Sequence, residues 1–233
     1  MHRSRRSPAN PLPAEPSAPK SILLVDDHPI MRHGLAQLIR MEPGLDIGGE
    51  VGSAAAGLAA VGRLRPDLVI IDLTLPDKNG LELIKDIHAM HPGSLCIVLS
   101  MHDETLYAER ALRAGARGYV MKETAAETLI IAIRRVLGGG IYVSDTMASR
   151  MLEQVTGQRG KGNASGLELL TDRELEVLEM IGKGIATKLI ATHLNISART
   201  VEAHRSHIKE KLALVDGPAL VRYAVQWVES RGA

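Results

Sequence analysis

The stretch "DLVIIDLTLPDKNG", residues 67–80, decides the reading of this chain. Val69, Ile70 and Ile71 form an unbroken apolar run, the pattern of a short strand buried on both faces. The run stops at a carboxylate, Asp72, and a turn containing Pro76 and Gly80 follows. An ionised carboxylate at the mouth of a buried strand is costly unless a counter-charge or hydrogen-bond donor meets it.

Similar runs flank it on both sides. Strands are expected at "SILLVD" (21–26), "LDIGGEV" (45–51), "DLVIID" (67–72), "LCIVLS" (95–100) and "GYVM" (118–121). Helical patterns lie over 29–41, 54–64, 80–91, 103–115 and 125–138. Strands alternating with helices imply an α/β domain whose parallel sheet is covered on both faces. In such sheets ligands bind beyond the carboxyl ends of the strands. With strand order 2-1-3-4-5, the first and third strands are neighbours, so Asp26, Asp27 and Asp72 converge. Three hard oxygen donors with room for water suit an octahedral Mg²⁺. Ser100 ends the fourth strand and Lys122 the fifth. A metal, a hydroxyl and an ammonium around one carboxylate make a site for a phosphoryl group, with Asp72 as nucleophile. A single Asp at a strand end usually caps a turn; acids, serine and lysine at four ordered strand ends exceed what capping requires.

The bulk composition adds exclusions. The 233 residues carry 28 Lys and Arg against 27 Asp and Glu. The balance is uneven: residues 1–20 carry +3, 21–138 carry −3, and 167–233 are neutral, which suggests separate modules. One cysteine, Cys96 in an apolar strand, excludes a disulfide framework or a multi-cysteine metal site. No run approaches a membrane span. The proline-rich residues 1–19 have arginines but no apolar h-region, so a disordered tail is expected rather than a secretory signal, and the cytoplasm is the expected location. The linker is expected over 139–166, with a helix near 145–155 and a flexible "GQRGKGNASG" (157–166).

Residues 167–233 show no strand pattern. "TDRE" (171–174) is a capping box, Leu175, Leu178 and Ile181 line one helix face, and Gly184 ends that helix. "ATKLIATHL" makes a second short helix and "NIS" a tight turn. Ser197 then caps a third helix whose apolar face includes Val201, Ile208 and Leu212. This is helix-turn-helix geometry. Between 183 and 211 the charge is +4, the face expected of a phosphate-contacting surface.

Residues 20–138, with "VDDHP", "DLTLPDKNG", Ser100 and "GYVMK", resemble the receiver domain of two-component response regulators. "LTDRELEVL", "GIATKLIATHLNIS" and "RTVEAHRSHIKEKL" resemble the LuxR-type helix-turn-helix. The pairing is that of NarL/FixJ-type regulators. The resemblance implies a flavodoxin-like receiver followed by a four-helix DNA-binding domain, and a regulator rather than an enzyme. It implies Asp72 as phosphoacceptor, and Mg²⁺ held by Asp27, Asp72 and the Thr74 carbonyl, with Asp26 helping through water. Ser100 and Tyr119 are implied as the switch pair, Tyr119 moving inward on phosphorylation. Implied partners are a sensor histidine kinase, promoter DNA, a second copy of the chain when active, and the transcription machinery. On DNA, Lys188, Thr200 and Lys209 would hold phosphates, alongside Ser197, Arg199 and His204. Glu202, Ala203, Arg205 and Ser206 would reach bases. The final helix, 218–229, resembles the dimer-forming helix, with Trp227 as anchor or core.

The chain departs from the family pattern in four places. Leu75 replaces the usual Met, Glu123 stands where many receivers have a cis-proline, Ala186-Thr187 replaces Ser-Asn, and Leu189 replaces an acid. An aspartyl phosphohydrolase would leave 167–233 unexplained. A ligand-sensing LuxR regulator would need an aromatic pocket, and the chain has no Phe, one Trp and four Tyr. A constitutively active orphan regulator remains as the third alternative.

Overall fold

The computed structural model describes residues 18–124, 126–155 and 166–230. The tail expected over 1–19 and the flexible stretch 157–166 therefore lie outside the described residues, apart from Ala18, Pro19 and Gly166.

Five parallel strands build the first domain: β1 (Lys20–Val25), β2 (Leu45–Val51), β3 (Leu68–Ile71), β4 (Leu95–Ser100) and β5 (Gly118–Met121). Their order is β2-β1-β3-β4-β5, the order that the receiver resemblance implies. Five helices connect or follow them: α1 (Pro29–Arg40), α2 (Ala54–Leu64), α3 (Gly80–Met90), α4 (Glu104–Ala114) and α5 (Ala126–Leu137). Alternation along the strands sorts the core. Ile22, Leu24, Ile70, Ile97 and Leu99 pack with Ala36 and Ile39 of α1 and Leu129 and Ile133 of α5. Leu23, Val25, Val69, Ile71 and Val98 pack with residues of α2, α3 and α4 on the other side.

Register positions the chemistry. Val25 pairs with Ile71, so the residues that follow, Asp26 and Asp72, leave the sheet side by side. Ser100 pairs with Met121, which brings Lys122 to the same edge. Local caps hold the loops between. Asn79 accepts from Leu81 N at 2.7 Å at the start of α3, and Asp103 accepts from Thr105 N at 2.6 Å at the start of α4. Asp77, in the turn after Asp72, accepts from Ala54 N and Ala55 N at 2.8 Å each and so ties that turn to α2.

The expected linker helix is present as α6 (Asp145–Val155). A 3-10 turn (Gly166–Leu169) leads into α7 (Asp172–Gly182), α8 (Thr187–His193), α9 (Ala198–Lys211) and α10 (Gly217–Glu229). The capping box forms at Thr171 and Glu174, and Ser197 accepts from Thr200 N at 3.0 Å to start α9. Gly182 permits the close crossing of α7 and α10, since a Cβ there would stand 2.4 Å from the Ala224 carbonyl oxygen. The apolar cluster beneath α2–α4 is continuous with the second domain: Tyr107 and Met147 belong to it together with Leu167, Leu170, Leu175 and Leu178. Among the described residues no helix is long and apolar enough to cross a membrane.

Gly80 is the tightest point beneath the Asp72 turn: a Cβ there would lie 2.2 Å from Asp72 O and 2.8 Å from Leu73 Cα, both backbone atoms. Gly80→Ala must displace the loop that carries Asp72, and overpacking of this kind costs about 1–3 kcal/mol. A lowered urea midpoint for the variant is the expected outcome; an unchanged midpoint would show that the turn yields freely.

Candidate phosphoacceptor site and nucleic-acid interface

Lys122 joins the acids. Its Nζ donates to Asp72 Oδ2 at 2.6 Å and to Asp26 Oδ2 at 2.7 Å, and all three side chains are almost wholly buried. Asp26 Oδ1 accepts from His28 N at 2.7 Å, and Asp72 Oδ1 from Thr74 N at 3.2 Å. Burial pushes the Asp72 carboxyl up; the Lys122 charge opposes this only in part, and Asp26 adds to it. Burial pulls the Lys122 ammonium down, but the two carboxylates more than compensate, so it is held above its usual range.

The expected ligand set is brought together. Asp26, Asp27 and Asp72 each offer an oxygen within 4.8 Å of the others, and His28 joins them. His28 was not anticipated; its place directly after the acid pair was the available signal. Asp27 Oδ1 is buried without a hydrogen-bond partner, the His28 Nδ1 at 2.7 Å standing outside hydrogen-bonding alignment. An orphaned carboxylate oxygen beside two more carboxylates fits a hard divalent cation such as Mg²⁺.

Ser100 is fully buried, and its Oγ accepts from His102 N at 3.2 Å. Tyr119 is fully buried, its hydroxyl donating to the His102 carbonyl at 2.7 Å. The ring stands inside in this structure, the loop carbonyl offering its hydroxyl a buried acceptor. No cis peptide bond occurs among the described residues, so the Lys122–Glu123 bond is trans.

The second domain reaches this loop through α7. His102 Nε2 lies 3.1 Å from Thr74 Oγ1, and His102 Nδ1 lies 3.1 Å from Glu179 Oε2. Asn79 Nδ2 donates to Glu176 Oε1. Arg110 of α4 donates to Leu167 O at 2.7 Å, Leu170 O at 2.8 Å and Asp172 Oδ1 at 2.9 Å. Burial works to raise the Glu179 carboxyl, but His102 and Lys183 outweigh it and hold it down at about 2. Glu176 goes the other way, since burial raises it beyond what Arg173 offsets.

On α9 the side chains of Arg199, Glu202, Ala203 and Ser206 are exposed, with Lys188 on α8 exposed beside them. Thr200 and Ser197 share a hydroxyl contact at 2.8 Å within the cap. Arg205 and Glu202 are tied to Thr187: its hydroxyl donates to Glu202 Oε1 at 3.1 Å and accepts from Arg205 Nη1 at 3.5 Å. His204 is half-buried, and burial lowers its pKa despite Glu174 nearby, so it faces the α7 side. Lys209 is half-buried on the same helix. Leu189, in place of the usual acid, is exposed, and Trp227 packs partly against the core.

Replacing Lys122 with Met leaves two buried carboxylates facing each other. Breaking a buried ion pair from one side costs about 3–5 kcal/mol. Asp72, already raised by burial, then loses the charge that opposes the rise, so its folded-state pKa stands above its unfolded one; the folded form gains below the unfolded pKa and loses as pH rises. Denaturant titration of Lys122→Met should show a large deficit at pH 7 that narrows toward pH 5; a uniform deficit would contradict the electrostatic origin.

Comparison with known proteins agrees with this geometry. Residues 22–134 match the response regulator receiver domain, and residues 168–224 match the bacterial regulatory proteins of the luxR family. The oxygen regulatory protein NreC of Staphylococcus carnosus is 34% identical over 212 residues, covering 88% of this chain and 96% of that protein. The transcriptional regulatory protein UhpA of Escherichia coli is 36% identical over 203 residues, covering 87% and 96%. RcsB from Salmonella enterica serovar Typhimurium, bound to promoter rprA in the presence of phosphomimetic BeF3⁻, aligns with a TM-score of 0.60 at 26% identity, covering 89% of this chain and 98% of that one. Another structure, of two RcsB dimers bound to two parallel DNAs, aligns at 0.54 with 26% identity and covers 88% and 97%. With a receiver whose acids meet at the strand ends and a LuxR-type helix-turn-helix behind it, this chain belongs to the NarL/FixJ-type two-component response regulators.

Proposed function

We propose that this protein is a cytoplasmic transcriptional regulator switched by phosphotransfer from a sensor histidine kinase to Asp72. The receiver spans 20–138, the linker 139–166 and the DNA-binding domain 167–233. The observation that carries the reading is Lys122 bound to Asp72 and Asp26 beside the Asp27 carboxylate, whose buried Oδ1 makes no hydrogen bond. Such a site holds a nucleophile, a cation donor and metal ligands in one pocket.

Asp26, Asp27, Asp72 and the Thr74 carbonyl would hold Mg²⁺, which when bound supplies charge neutralisation for the phosphoryl oxygens. An Asp72 oxygen attacks the phosphorus as the bond to the kinase imidazole nitrogen breaks, and the electron pair leaves with that nitrogen. The Lys122 ammonium turns from Asp72 toward the new phosphoryl oxygens, and the Thr74 N–H and Ser100 hydroxyl donate to them. The loop carrying His102 then repacks around Tyr119. Release of α7 lets two copies pair, so that two α9 helices meet promoter half-sites about one turn apart and engage the transcription machinery. Lys188, Ser197, Arg199, Thr200 and Lys209 contact phosphates, with His204 at the margin of that face; Glu202, Ala203, Arg205 and Ser206 face the bases.

Incubation with a small phosphodonor and Mg²⁺ should label the wild type stoichiometrically and leave Asp72→Ala unlabelled. A wild type that stays unlabelled yet binds DNA would make this an orphan regulator. On DNA, Lys209→Ala should weaken binding to any duplex and flatten the slope of log affinity against log salt by about 0.9; an unchanged slope would remove Lys209 from the phosphate contacts.

A further inference from the structure

The β4–α4 loop is pinned around one residue. His102 N donates to Ser100 Oγ, its carbonyl accepts from Tyr119, and its ring joins Thr74 to Glu179. Two of these partners, Ser100 and Thr74, line the Asp72 pocket. Glu179 comes from another domain. Of the polar contacts between the domains among the described residues, those of Arg110 and Lys85 stay on α4 and α3, the Asn79–Glu176 contact holds the far end of the loop that follows Asp72, and Glu179 meets the residue that joins Thr74 to the β4–α4 loop.

The chemistry of the chain of contacts is directional. The Glu179 carboxylate can only accept, and its Oε2 lies 3.1 Å from His102 Nδ1, so that ring nitrogen is the donor. On the other side of the ring Nε2 lies 3.1 Å from the Thr74 hydroxyl, which can donate to it. The DNA-binding domain thereby fixes the ring's tautomer and orientation, much as a carboxylate orients the imidazole of a hydrolytic triad. With the ring fixed, the loop keeps the Ser100 hydroxyl engaged with His102 N–H and Thr74 anchored next to Asp72.

We propose that Glu179 is a positioning residue for the receiver's own phosphorylation, acting through His102 on Thr74 and Ser100, so that the docked DNA-binding domain slows phosphoryl transfer to Asp72. This rests on the phosphoacceptor reading above. For transfer, the Ser100 hydroxyl must leave His102 N–H and turn to the incoming oxygen, and the loop must move with it. Glu179 restrains that movement from outside the receiver.

The test uses the full-length protein with phosphoramidate and Mg²⁺. Glu179→Ala should be labelled roughly threefold to tenfold faster than wild type, the effect of losing one hydrogen bond of ordinary net strength. Glu179→Gln keeps an acceptor oxygen and should restore most of the restraint. His102→Ala should be as fast as Glu179→Ala, and the double variant no faster than either. A second readout needs neither metal nor donor. Nitrogen NMR of the His102 ring should report the Nδ1–H tautomer in wild type and a shift toward the Nε2–H tautomer in Glu179→Ala. Equal labelling rates in wild type and Glu179→Ala, additive effects in the double variant, or an unchanged tautomer would each overturn the inference while leaving Asp72 as the acceptor. An unlabelled wild type would overturn the phosphoacceptor reading, and this inference with it.

Discussion

A single ammonium holds the working edge of this protein together. Lys122 stands between Asp26 and Asp72, and none of the three has much water for company. Desolvating two carboxylates within one pocket is tolerable only because the cation is there. The sheet order makes the meeting possible, since β1, β3 and β5 deliver these residues to one end. The arrangement is satisfied but not saturated. Asp27 keeps a buried oxygen that makes no hydrogen bond, and Asp72 sits above its ordinary pKa. A pocket left electrostatically short of positive charge favours a cation.

Much of this edge was legible in the sequence because it depends on local patterns placed at regular intervals. Apolar runs mark the strands, and the residue after each run lands at the same end of the sheet. The bounds of β2, β4 and β5 coincide with the expected runs, and the capping box at Thr171 starts α7 where it should. Ser197 does the same for α9.

What the sequence withheld is long-range. Glu176 and Glu179 sit on α7 where an amphipathic helix carries its polar face, so their pattern reads as solvent-exposed. They are buried because Asn79 and His102, 97 and 77 positions earlier, come to meet them. No periodicity reports such a partner. Arg205 and Glu202 were read for the charge they carry toward bases, and their ties to Thr187 depend on the angle between α8 and α9. Tyr119 is similar: a strand pattern places the ring, but only the path of the His102 carbonyl decides where its hydroxyl goes.

The docked domain shows α7 to the receiver, while Arg199, Ala203 and Ser206 of α9 face outward. The receiver therefore does not conceal those side chains. What docking constrains is direction: α9 is held at one angle to the receiver, and with it the distance between the α9 helices of any two paired copies. Under the proposed function, a lone molecule in this form would keep its basic surface available for weak, sequence-blind contact with a phosphate backbone before any signal arrives. Regulation would then be exerted on the spacing of a pair, with the length between half-sites as part of the message.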